Sequence, residues 1–275
     1  MERPLVVLDT ETATQHGPPH LLEIGAVRVL DHEIVDHFSS LVLPAVVIER
    51  ETQEVHGITD EMTRSAPDVP TVLTEFFAWL GEDWLVAHDA PQDAHVLGFE
   101  CARHGLRPPM QPMLDTLSIS KRLIPESPDH SLESLIQYLD LDHDELHRAL
   151  ADAVSCWKVM EECLERERAE CEGEPSFEAL LTKSRRFTTI ASAGPSHPSL
   201  PRRLRQLESS AKDGGQVVLH YGEKDQHPIP LPVFPKLVYK LRDRGYLEGE
   251  CVNAGILKTY RLDRIHRVTL ASSPR

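Results

Sequence analysis

The chain has 275 residues, five cysteines and a formal net charge of −15 at pH 7. This length favours two domains over one. No apolar run approaches the roughly 18 residues that a membrane-spanning helix needs, and Pro4, Asp9 and Glu11 interrupt the N-terminal apolar run that a signal peptide would require. The cysteines are odd in number and contain no C-x-x-C motif, so we interpret them as reduced thiols of a cytoplasmic protein.

The charge is distributed unevenly along the chain. Residues 1–175 contain 12 Lys and Arg against 35 Asp and Glu, a net charge of −23, whereas residues 176–275 contain 17 against 9, a net charge of +8. A basic domain attracts polyanions such as nucleic acid. Electrostatic docking of the basic part on the acidic part explains the asymmetry equally well on charge alone.

The first part of the chain predicts an α/β fold in which helices pack on a sheet. Residues 5–8 are a short apolar run typical of a central buried strand. Residues 22–29 and 33–43 alternate as the two strands of a hairpin that turns at 31–32, and a further strand is predicted at 84–87. Helices are predicted at 59–64, 69–80, from about 94 to 104, 115–123, 131–139 and from about 146 into the charged segment 161–172.

The second part of the chain predicts a small β domain. We assign residues 1–172 to the first domain, 173–199 to a linker rich in Pro, Ser and basic residues, and 200–275 to the second domain. A helix is predicted at 200–212 and ends at Gly214. Five short segments with turn signals between them then predict strands, which favour a barrel: 217–221, 233–241, 246–252, 256–262 and 268–270.

Acidic residues follow both of the short buried strands of the first domain. Asp9 and Glu11 are two residues apart and therefore leave the first strand on the same face. Such neighbouring carboxylates repel each other unless a cation lies between them. Asp93 follows the strand at 84–87, in the predicted loop 88–93, and the carboxyl ends of such strands meet at one edge of an α/β sheet. The pattern predicts a site for a hard metal ion, with a solvated acidic turn as the alternative.

The last helix of the first domain places one acid on a packing face. At about 100° per residue, one stripe consists mostly of small residues: Ala149, Asp152, Ala153, Cys156 and Met160. Asp152 is the charged member of the stripe and needs a partner, which a cation shared with Asp9 would supply. His147 is roughly 140° around the helix from Asp152, so it must lie at the start of the helix or on a loop to act beside it.

These residues together resemble the three motifs of the DEDDh exonucleases, a family that includes the proofreading subunit of bacterial replicative polymerase. The motifs are Asp9-x-Glu11, Asp93 after a Val-Ala-His strand end, and His147-x-Ala-x-x-Asp152, with Val55-His56-Gly57-Ile58-Thr59 and Asp115-Thr116 as intervening landmarks. The resemblance covers about residues 3–170 and implies a ribonuclease-H-like fold, a mixed five-stranded sheet with flanking helices. One loop departs from the family, which usually has Asn where this chain has Asp89 and an apolar residue where it has Gln92.

The resemblance also implies a chemistry. The four acids Asp9, Glu11, Asp93 and Asp152 are expected to hold two Mg²⁺ or Mn²⁺ ions, which prefer oxygen ligands. His147 is expected to deprotonate the attacking water, because histidine has the side-chain pKa nearest to neutrality. The expected reaction is 3′→5′ hydrolysis of DNA or RNA, single strands favoured, to nucleoside 5′-monophosphates. Thr10, Thr12 and His56 are candidate contacts to the nucleotide, with a structural turn histidine as the alternative for His56.

The second domain resembles a WYL domain, a small Sm/SH3-like β barrel. The resemblance is carried by three segments: Val217–Tyr221, Gly245-Tyr246-Leu247 and Tyr260-Arg261-Leu262-Asp263-Arg264-Ile265, with Gly245 in place of the Trp that names the motif. It implies ligand or nucleic-acid sensing, in which Arg261 and Arg264 bind an anion and Tyr221 and Tyr246 stack on bases. The alternative is that the two arginines pair with Asp263 and neighbouring acids.

Two other functions compete with the exonuclease. His143 and His147 have the spacing of a zinc-protease motif, but Asp144 stands where that motif needs Glu, and no third ligand follows. The second alternative is a nucleic-acid- or ligand-sensing regulator with a weak or inactive nuclease core, against which the complete acidic set argues. We therefore expect a metal-dependent exonuclease that binds nucleic acid and no membrane; the sequence identifies no protein partner.

Overall fold

The computed structural model describes residues 3–143, 146–170, 175–184, 187–223, 227–241 and 243–270. It consists of two compact units. The first comprises Met1–Glu100 and Arg107–Gly194, and the second comprises Cys101–Leu106 and Pro195–Arg275. Within the described residues, no helix is both long and apolar enough to cross a membrane.

A mixed five-stranded sheet forms the centre of the first unit, which confirms the predicted fold. Its strands are β1 (Leu5–Thr12), β2 (Leu21–Leu30), β3 (Glu33–Leu41), β4 (Trp84–Ala87) and β5 (Met113–Asp115), in the order β3-β2-β1-β4-β5. Strand β1 is antiparallel to β2 and parallel to β4, so the carboxyl ends of β1 and β4 lie at the same edge of the sheet. Leu5 to Leu8 are at most 2% exposed, which explains the apolar run.

The predicted β2-β3 hairpin is confirmed, including its turn. Asp31 and His32 have backbone φ angles of 49° and 70°. Two consecutive central residues with positive φ are characteristic of the type I′ turn, whose twist matches that of the flanking strands. Leu30 and Glu33 form the last pair of the ladder on either side of this turn.

Nine α-helices lie in the described part of the first unit. They are α1 (Arg50–His56), α2 (Asp60–Thr63), α3 (Val69–Leu80), α4 (Ala90–His104), α5 (Thr116–Leu123), α6 (Leu132–Tyr138), α7 (Ala149–Glu170), α8 (Phe177–Lys183) and α9 (Ile190–Ala193). The predicted loop at 88–93 is wrong from Ala90 onward, because α4 begins there. Asp89 takes a φ of 58°, and the Ala90 amide donates to Asp115 Oδ1 at 3.3 Å, so the chain enters the helix at once.

Secondary structure continues into the segment that the sequence predicts as a linker. Phe177 and Leu180 of α8 are buried in the same hydrophobic cluster as the apolar face of α7, and the Phe177 ring stacks on Trp84 with 4.1 Å between centroids. Gly194, which follows α9, lies so near Gly98 of α4 that a Cβ at Gly98 would be 2.7 Å from its amide nitrogen. The polar composition of this segment concealed the few apolar residues that attach it to the first unit.

A five-stranded antiparallel sheet forms the second unit, and the predicted barrel closure is wrong. Its strands are β6 (Val217–Tyr221), β7 (Ile229–Leu241), β8 (Arg244–Cys251), β9 (Ile256–Arg261) and β10 (Ile265–Leu270), in the order β10-β6-β7-β8-β9, with helix α10 at Gln206–Asp213. The 3₁₀ turn Leu262–Arg264 separates β9 from β10, and the ladder of β10 is formed with β6. In the described residues β9 and β10 are therefore the two edges of an open sheet.

Helix α7 packs across β1 and β2 with its first residues directly on Gly25 of β2. A Cβ atom at Gly25 would collide with the backbone of Ala149 and Leu150. Because a helix backbone cannot be displaced as a flexible side chain can, no larger residue fits at Gly25 without moving α7.

We predict that Gly25→Ala lowers the free energy of unfolding by about 2–3 kcal/mol, the usual cost of overpacking a core. Urea denaturation followed by circular dichroism measures the change. Gly215→Ala is the control, because a Cβ at Gly215 meets its nearest neighbours at 3.8 Å. Equal destabilisation by the two substitutions would contradict the close packing of α7 on β2.

Candidate metal centre and substrate pocket

Three carboxylates from two elements meet at the carboxyl end of β1. Asp9 and Glu11 leave β1 on the same face, and α7 brings Asp152 to them from above the sheet. One ligand oxygen from each of the three lies within 4.8 Å of the other two. The arrangement is the one that alternation along the strand and the helical stripe predict for these residues.

Asp93 completes an acidic cluster, which we define as Asp9, Glu11, Asp93 and Asp152. Asp93 lies in the first turn of α4 and is 4% exposed. Its Oδ1 accepts a hydrogen bond of 2.8 Å from the hydroxyl of Thr10, the β1 residue between the other two acids. Among neighbouring charges, Asp93 contributes most to raising the pKa of Asp9, which places the two carboxylates close together. Thr10 thus orients an acid, and its hydroxyl is engaged there.

The carboxylates of the acidic cluster have raised pKa values. Burial and the neighbouring acids Asp152, Glu23 and Asp93 raise the pKa of Glu11 to about 8. Burial raises the pKa of Asp93 to about 7, against the lowering effect of the Thr10 hydroxyl. The pKa of Asp9 is raised well above its ordinary value by burial and then by the other acids. Negative charge in this cluster is therefore costly unless a cation accompanies it.

The donor set fits a hard divalent cation. Asp152 is 8% exposed, and its Oδ1 is buried without a hydrogen-bond partner in the part of the chain that the structure describes. Its other oxygen, Oδ2, accepts from the His147 backbone amide at 3.0 Å. A buried carboxylate oxygen without a donor is expected where a cation is the missing partner. Carboxylate oxygens are the ligands that Mg²⁺ and Mn²⁺ prefer.

Glu23 of β2 holds the start of α7, and the sequence analysis did not identify it. Its carboxylate, 3% exposed, accepts from the Ala149 amide at 3.0 Å and from Arg148, with 2.6 Å between Nη2 and Oε1. Glu23 also lies opposite Glu11 in the β1–β2 ladder. The available signal was a lone acid in the otherwise apolar run of β2, which needs a buried donor.

His147 lies immediately before α7, as the sequence predicts for a histidine that acts beside Asp152. Its side chain is exposed, and its backbone φ is 64°, an uncommon value for a residue other than glycine. Leu146–Arg148 precede the helix, so His147 does not share a helical face with His143 as a zinc-protease site requires. Asp144 and Glu145 lie outside the described residues.

A pocket of about 390 Å³ adjoins the acidic cluster. Its walls come from the end of β1 and the following loop, from α1 and from α4. The lining residues include Glu11, Thr12, Thr14, His56, Gln92 and His95. The structure therefore places Thr12 and His56 in the pocket, whereas Thr10 faces Asp93. The side-chain amide of Gln92 donates to the carboxylate of Asp89 at 2.7 Å. The segment containing these two residues, which departs from the family pattern, therefore contributes to this wall.

Both ring nitrogens of His56 are used within the protein. The Ile58 amide donates to Nδ1 at 3.0 Å, and Nε2 lies 3.3 Å from the Thr12 carbonyl, which it can reach only as a donor. His56 is 5% exposed, and burial lowers its pKa. These contacts are those of a structural turn histidine that presents only part of its ring to the pocket.

The four candidate binding residues of the second unit have partners within that unit. Arg261 Nε lies 3.0 Å from Asp263 Oδ1, and Arg264 Nη2 lies 2.9 Å from Glu223 Oε1. The Tyr221 hydroxyl accepts from the Arg261 amide at 3.4 Å. Tyr246 stacks on Tyr239 with 5.5 Å between ring centroids. Both arginines are therefore paired with acids, which was the alternative to anion binding in the sequence analysis.

Comparison with known proteins identifies the first unit. The family model described as exonuclease, of the RNase T type, matches residues 6–160, more than half of the chain. This chain belongs to the exonuclease family. The matched residues contain all four acids of the cluster and His147.

Curated relatives of this exonuclease-family chain are much longer proteins. DNA polymerase III PolC-type from Oceanobacillus iheyensis is 35% identical over 171 residues, which are 60% of this chain and 12% of the polymerase. The PolC-type polymerase of Thermotoga petrophila is 37% identical over 158 residues, 54% of this chain and 11% of the polymerase. The chain thus spans about an eighth or less of the length of these relatives.

Solved structures share the fold. Exonuclease X in complex with 5′-overhanging duplex DNA is 25% identical, with a TM-score of 0.53, and the match covers 66% of this chain and 99% of that one. The nuclease domain of 3′hExo, a DEDDh family member bound to rAMP, is 19% identical with a TM-score of 0.54, covering 59% of this chain and 92% of that one. Exonuclease I is 13% identical with a TM-score of 0.58, and this match covers 98% of this chain and 65% of that one.

The raised pKa of Glu11 makes the stability of the metal-free protein depend on pH. Because the folded state binds this proton more tightly than the unfolded state, the contribution of Glu11 to stability falls as the pH rises from about 5 to about 8. We predict a falling midpoint of thermal unfolding over this interval in EDTA and a flatter profile for Glu11→Gln. Millimolar Mn²⁺ should raise the midpoint more at the upper end of this pH interval, where protons no longer compete. Identical profiles for the variant and the parent protein would contradict the prediction.

Proposed function

We propose that this chain is a divalent-metal-dependent 3′→5′ exonuclease that hydrolyses DNA or RNA from the 3′ end to nucleoside 5′-monophosphates. The observation that carries the proposal is the convergence of Asp9, Glu11 and Asp152, with Asp93 held beside them by Thr10, next to a pocket of about 390 Å³. One oxygen of Asp152 is buried and has no hydrogen-bond donor among the described residues. Such a cluster matches phosphoryl-transfer chemistry, in which negative charge develops on several oxygens at once.

The acidic cluster is proposed to hold two ions, Mg²⁺ or Mn²⁺. Bound there, the ions would neutralise the charge that develops on the attacking and leaving oxygens at phosphorus. The chain itself orients the ligands: the Thr10 hydroxyl fixes Asp93, and the His147 amide fixes one oxygen of Asp152. Glu23 fixes the start of the helix that carries Asp152.

His147 is the proposed general base. Its imidazole is exposed beside the acidic cluster, and its left-handed backbone directs the chain into α7 while its own amide contacts Asp152. An exposed imidazole can take a proton from water and release it to solvent. The unusual backbone conformation is consistent with a position held for function.

The proposed substrate is a single-stranded 3′ end. The pocket beside Glu11 and Thr12 is large enough for one nucleotide and is open to solvent. Exonuclease X has been solved with duplex DNA that carries a 5′ overhang, and 3′hExo has been solved with rAMP. These neighbours support both nucleic acids as candidates for this chain.

The first test is cleavage of 5′-labelled single-stranded DNA and RNA of one sequence in Mg²⁺, Mn²⁺ or EDTA. We predict a ladder that shortens from the 3′ end and disappears in EDTA. Asp9→Ala and Asp152→Ala should each reduce the rate at least about 1,000-fold, because several kcal/mol of charge stabilisation are lost.

Glu165→Gln is the matched control, because Glu165 is an exposed acid farther along α7. Circular dichroism of each variant establishes that the fold is retained. Full activity in Asp152→Ala would contradict the metal centre. Binding without cleavage by the parent protein would favour the regulator with an inactive nuclease core.

The second unit is proposed to bind the nucleic-acid substrate through basic residues other than Arg261 and Arg264, which the sequence predicted. Arg202, Arg203 and Arg205 are exposed, and no acid pairs with them within the described residues. Leu204 and Leu207, three residues apart, are buried in the core of the unit and hold this segment in place. Unpaired arginines can contact phosphates without first giving up a partner, which Arg261 and Arg264 cannot. Ligand sensing by a WYL-like domain remains a prediction.

Salt dependence of binding tests this assignment. We predict that the triple substitution of Arg202, Arg203 and Arg205 by Gln reduces the magnitude of the negative slope of log K against log salt by about 2. Each lost phosphate contact on a single strand removes roughly 0.7 from that magnitude. Fluorescence anisotropy of a labelled oligonucleotide in EDTA measures the slope. The control, Arg261→Gln with Arg264→Gln, should leave it unchanged. A smaller slope magnitude in the control alone would indicate that Arg261 and Arg264 make the phosphate contacts.

A further inference from the structure

His95 lines the pocket from α4, two residues after Asp93, and one of its ring nitrogens is committed. Its Nδ1 lies 3.1 Å from the carbonyl oxygen of Ala193 in α9. A carbonyl oxygen can only accept, so Nδ1 carries the proton of this hydrogen bond. In the neutral ring, Nε2 is then left with a lone pair and can act as an acceptor.

The ring of His95 is held in one orientation. Phe99, one helical turn along α4, contacts it edge-on with 4.6 Å between ring centroids. The α9 segment that supplies the carbonyl is fixed in turn by the close approach of Gly98 and Gly194 and by the capping of α9 by Thr189. A group held by several contacts loses little entropy when it binds a ligand.

His95 differs from His56, the pocket histidine that the sequence singled out. Both nitrogens of His56 bond to the backbone, whereas Nε2 of His95 has no bonding partner within the described part of the chain. Of these two pocket histidines, His56 uses both ring nitrogens within the protein, whereas His95 can accept a hydrogen bond from a ligand through Nε2.

Other groups along the same wall also present acceptors. The Thr12 hydroxyl donates to the Thr14 carbonyl, and the Thr14 hydroxyl donates to the Pro18 carbonyl. Each hydroxyl thus donates its hydrogen bond within the loop, and its oxygen lone pairs can still accept a hydrogen bond from a ligand. The carboxylate of Glu11, a member of the acidic cluster, borders the same pocket. A wall of this kind selects a ligand that carries hydrogen-bond donors.

We propose that His95 is a specificity-determining residue whose Nε2 accepts a hydrogen bond from a donor on the 3′-terminal nucleotide. The inference rests on the proposed function, because it places that nucleotide in the pocket beside Glu11. A 3′-terminal adenosine nucleotide has three groups that offer such a donor: the 2′-hydroxyl, the 3′-hydroxyl and the exocyclic amino group of the base. Ala193 and Gly194 lie outside the residues matched by the exonuclease family model, so this support for His95 comes from the chain's own following segment.

Equilibrium binding of four nucleoside 5′-monophosphates separates the three sources and needs no cleavage. The pair rAMP and dAMP isolates the 2′-hydroxyl, and the pair dAMP and 2′,3′-dideoxyadenosine 5′-monophosphate isolates the 3′-hydroxyl. The pair dAMP and 2′-deoxynebularine 5′-monophosphate, in which hydrogen replaces the amino group, isolates the exocyclic amino group. Calorimetry in Mn²⁺ should show a preference of about tenfold for the donor-bearing member of one pair, the effect of one hydrogen bond in a partly buried site.

Three variants identify the acceptor. His95→Phe keeps a ring against Phe99 but removes the acceptor, and it should reduce the preference to within about twofold. His95→Gln keeps a side-chain oxygen and should retain part of it. His37→Phe is the matched control and should leave the preference intact, because His37 is an exposed histidine of β3 and does not line the pocket. Mn²⁺ binding and the unfolding midpoint of each variant show whether the site and fold persist.

The outcomes distinguish this inference from the proposed function. An unchanged preference in His95→Phe, or no preference in the parent protein for any of the three pairs, overturns the role of His95 even if the protein cleaves 3′ ends. A preference that depends on His95 in a protein that cleaves neither DNA nor RNA keeps the binding role and rejects the exonuclease proposal.

Discussion

The direct contact between helix α7 and strand β2 is the constraint on which the candidate metal centre depends. Gly25 leaves no room for a side chain between the two backbones, and Glu23 accepts from the first amide of the helix. Asp152 can reach Asp9 only because the helix lies this close to the sheet. Small residues at the contact therefore serve the site as much as the packing, since a displacement of about 1 Å is costly to catalysis.

The same centre is a source of instability in the fold. Four acids are collected where burial and mutual repulsion raise their pKa values, and an oxygen of Asp152 has no donor in the described residues. The surrounding apolar core, with the interior of β1 at most 2% exposed, stabilises the fold against this cost. A divalent cation would remove most of it, so metal binding and folding are expected to be linked.

The two histidines of the pocket show why residue type alone is a weak guide to role. His56 belongs to a family landmark, yet its ring bonds to the backbone through both nitrogens. His95 belongs to none of the sequence motifs. Its Nε2 can act as an acceptor because Nδ1 donates to a carbonyl almost a hundred residues away in the chain. Likewise Arg261 and Arg264 stand in a recognisable motif but are paired, whereas the arginines near Leu204 have no acidic partner in the part of the chain that the structure describes.

The resemblance of the motifs to the exonucleases implied the five-stranded sheet of the first unit. The sequence by itself determined the packing of helices on a sheet, the hairpin turn and the convergence of the four acids. These features follow from local patterns: alternation along β1, helical spacing around Asp152, and apolar runs of strand length. Tertiary structure decided the features that depend on distant partners. They are the start of α4, the burial of Phe177 in the expected linker, the open second sheet and the engagement of Glu23. A hydrogen bond or a close approach between residues far apart in the chain leaves no periodic trace in either segment, so only the folded molecule reveals it.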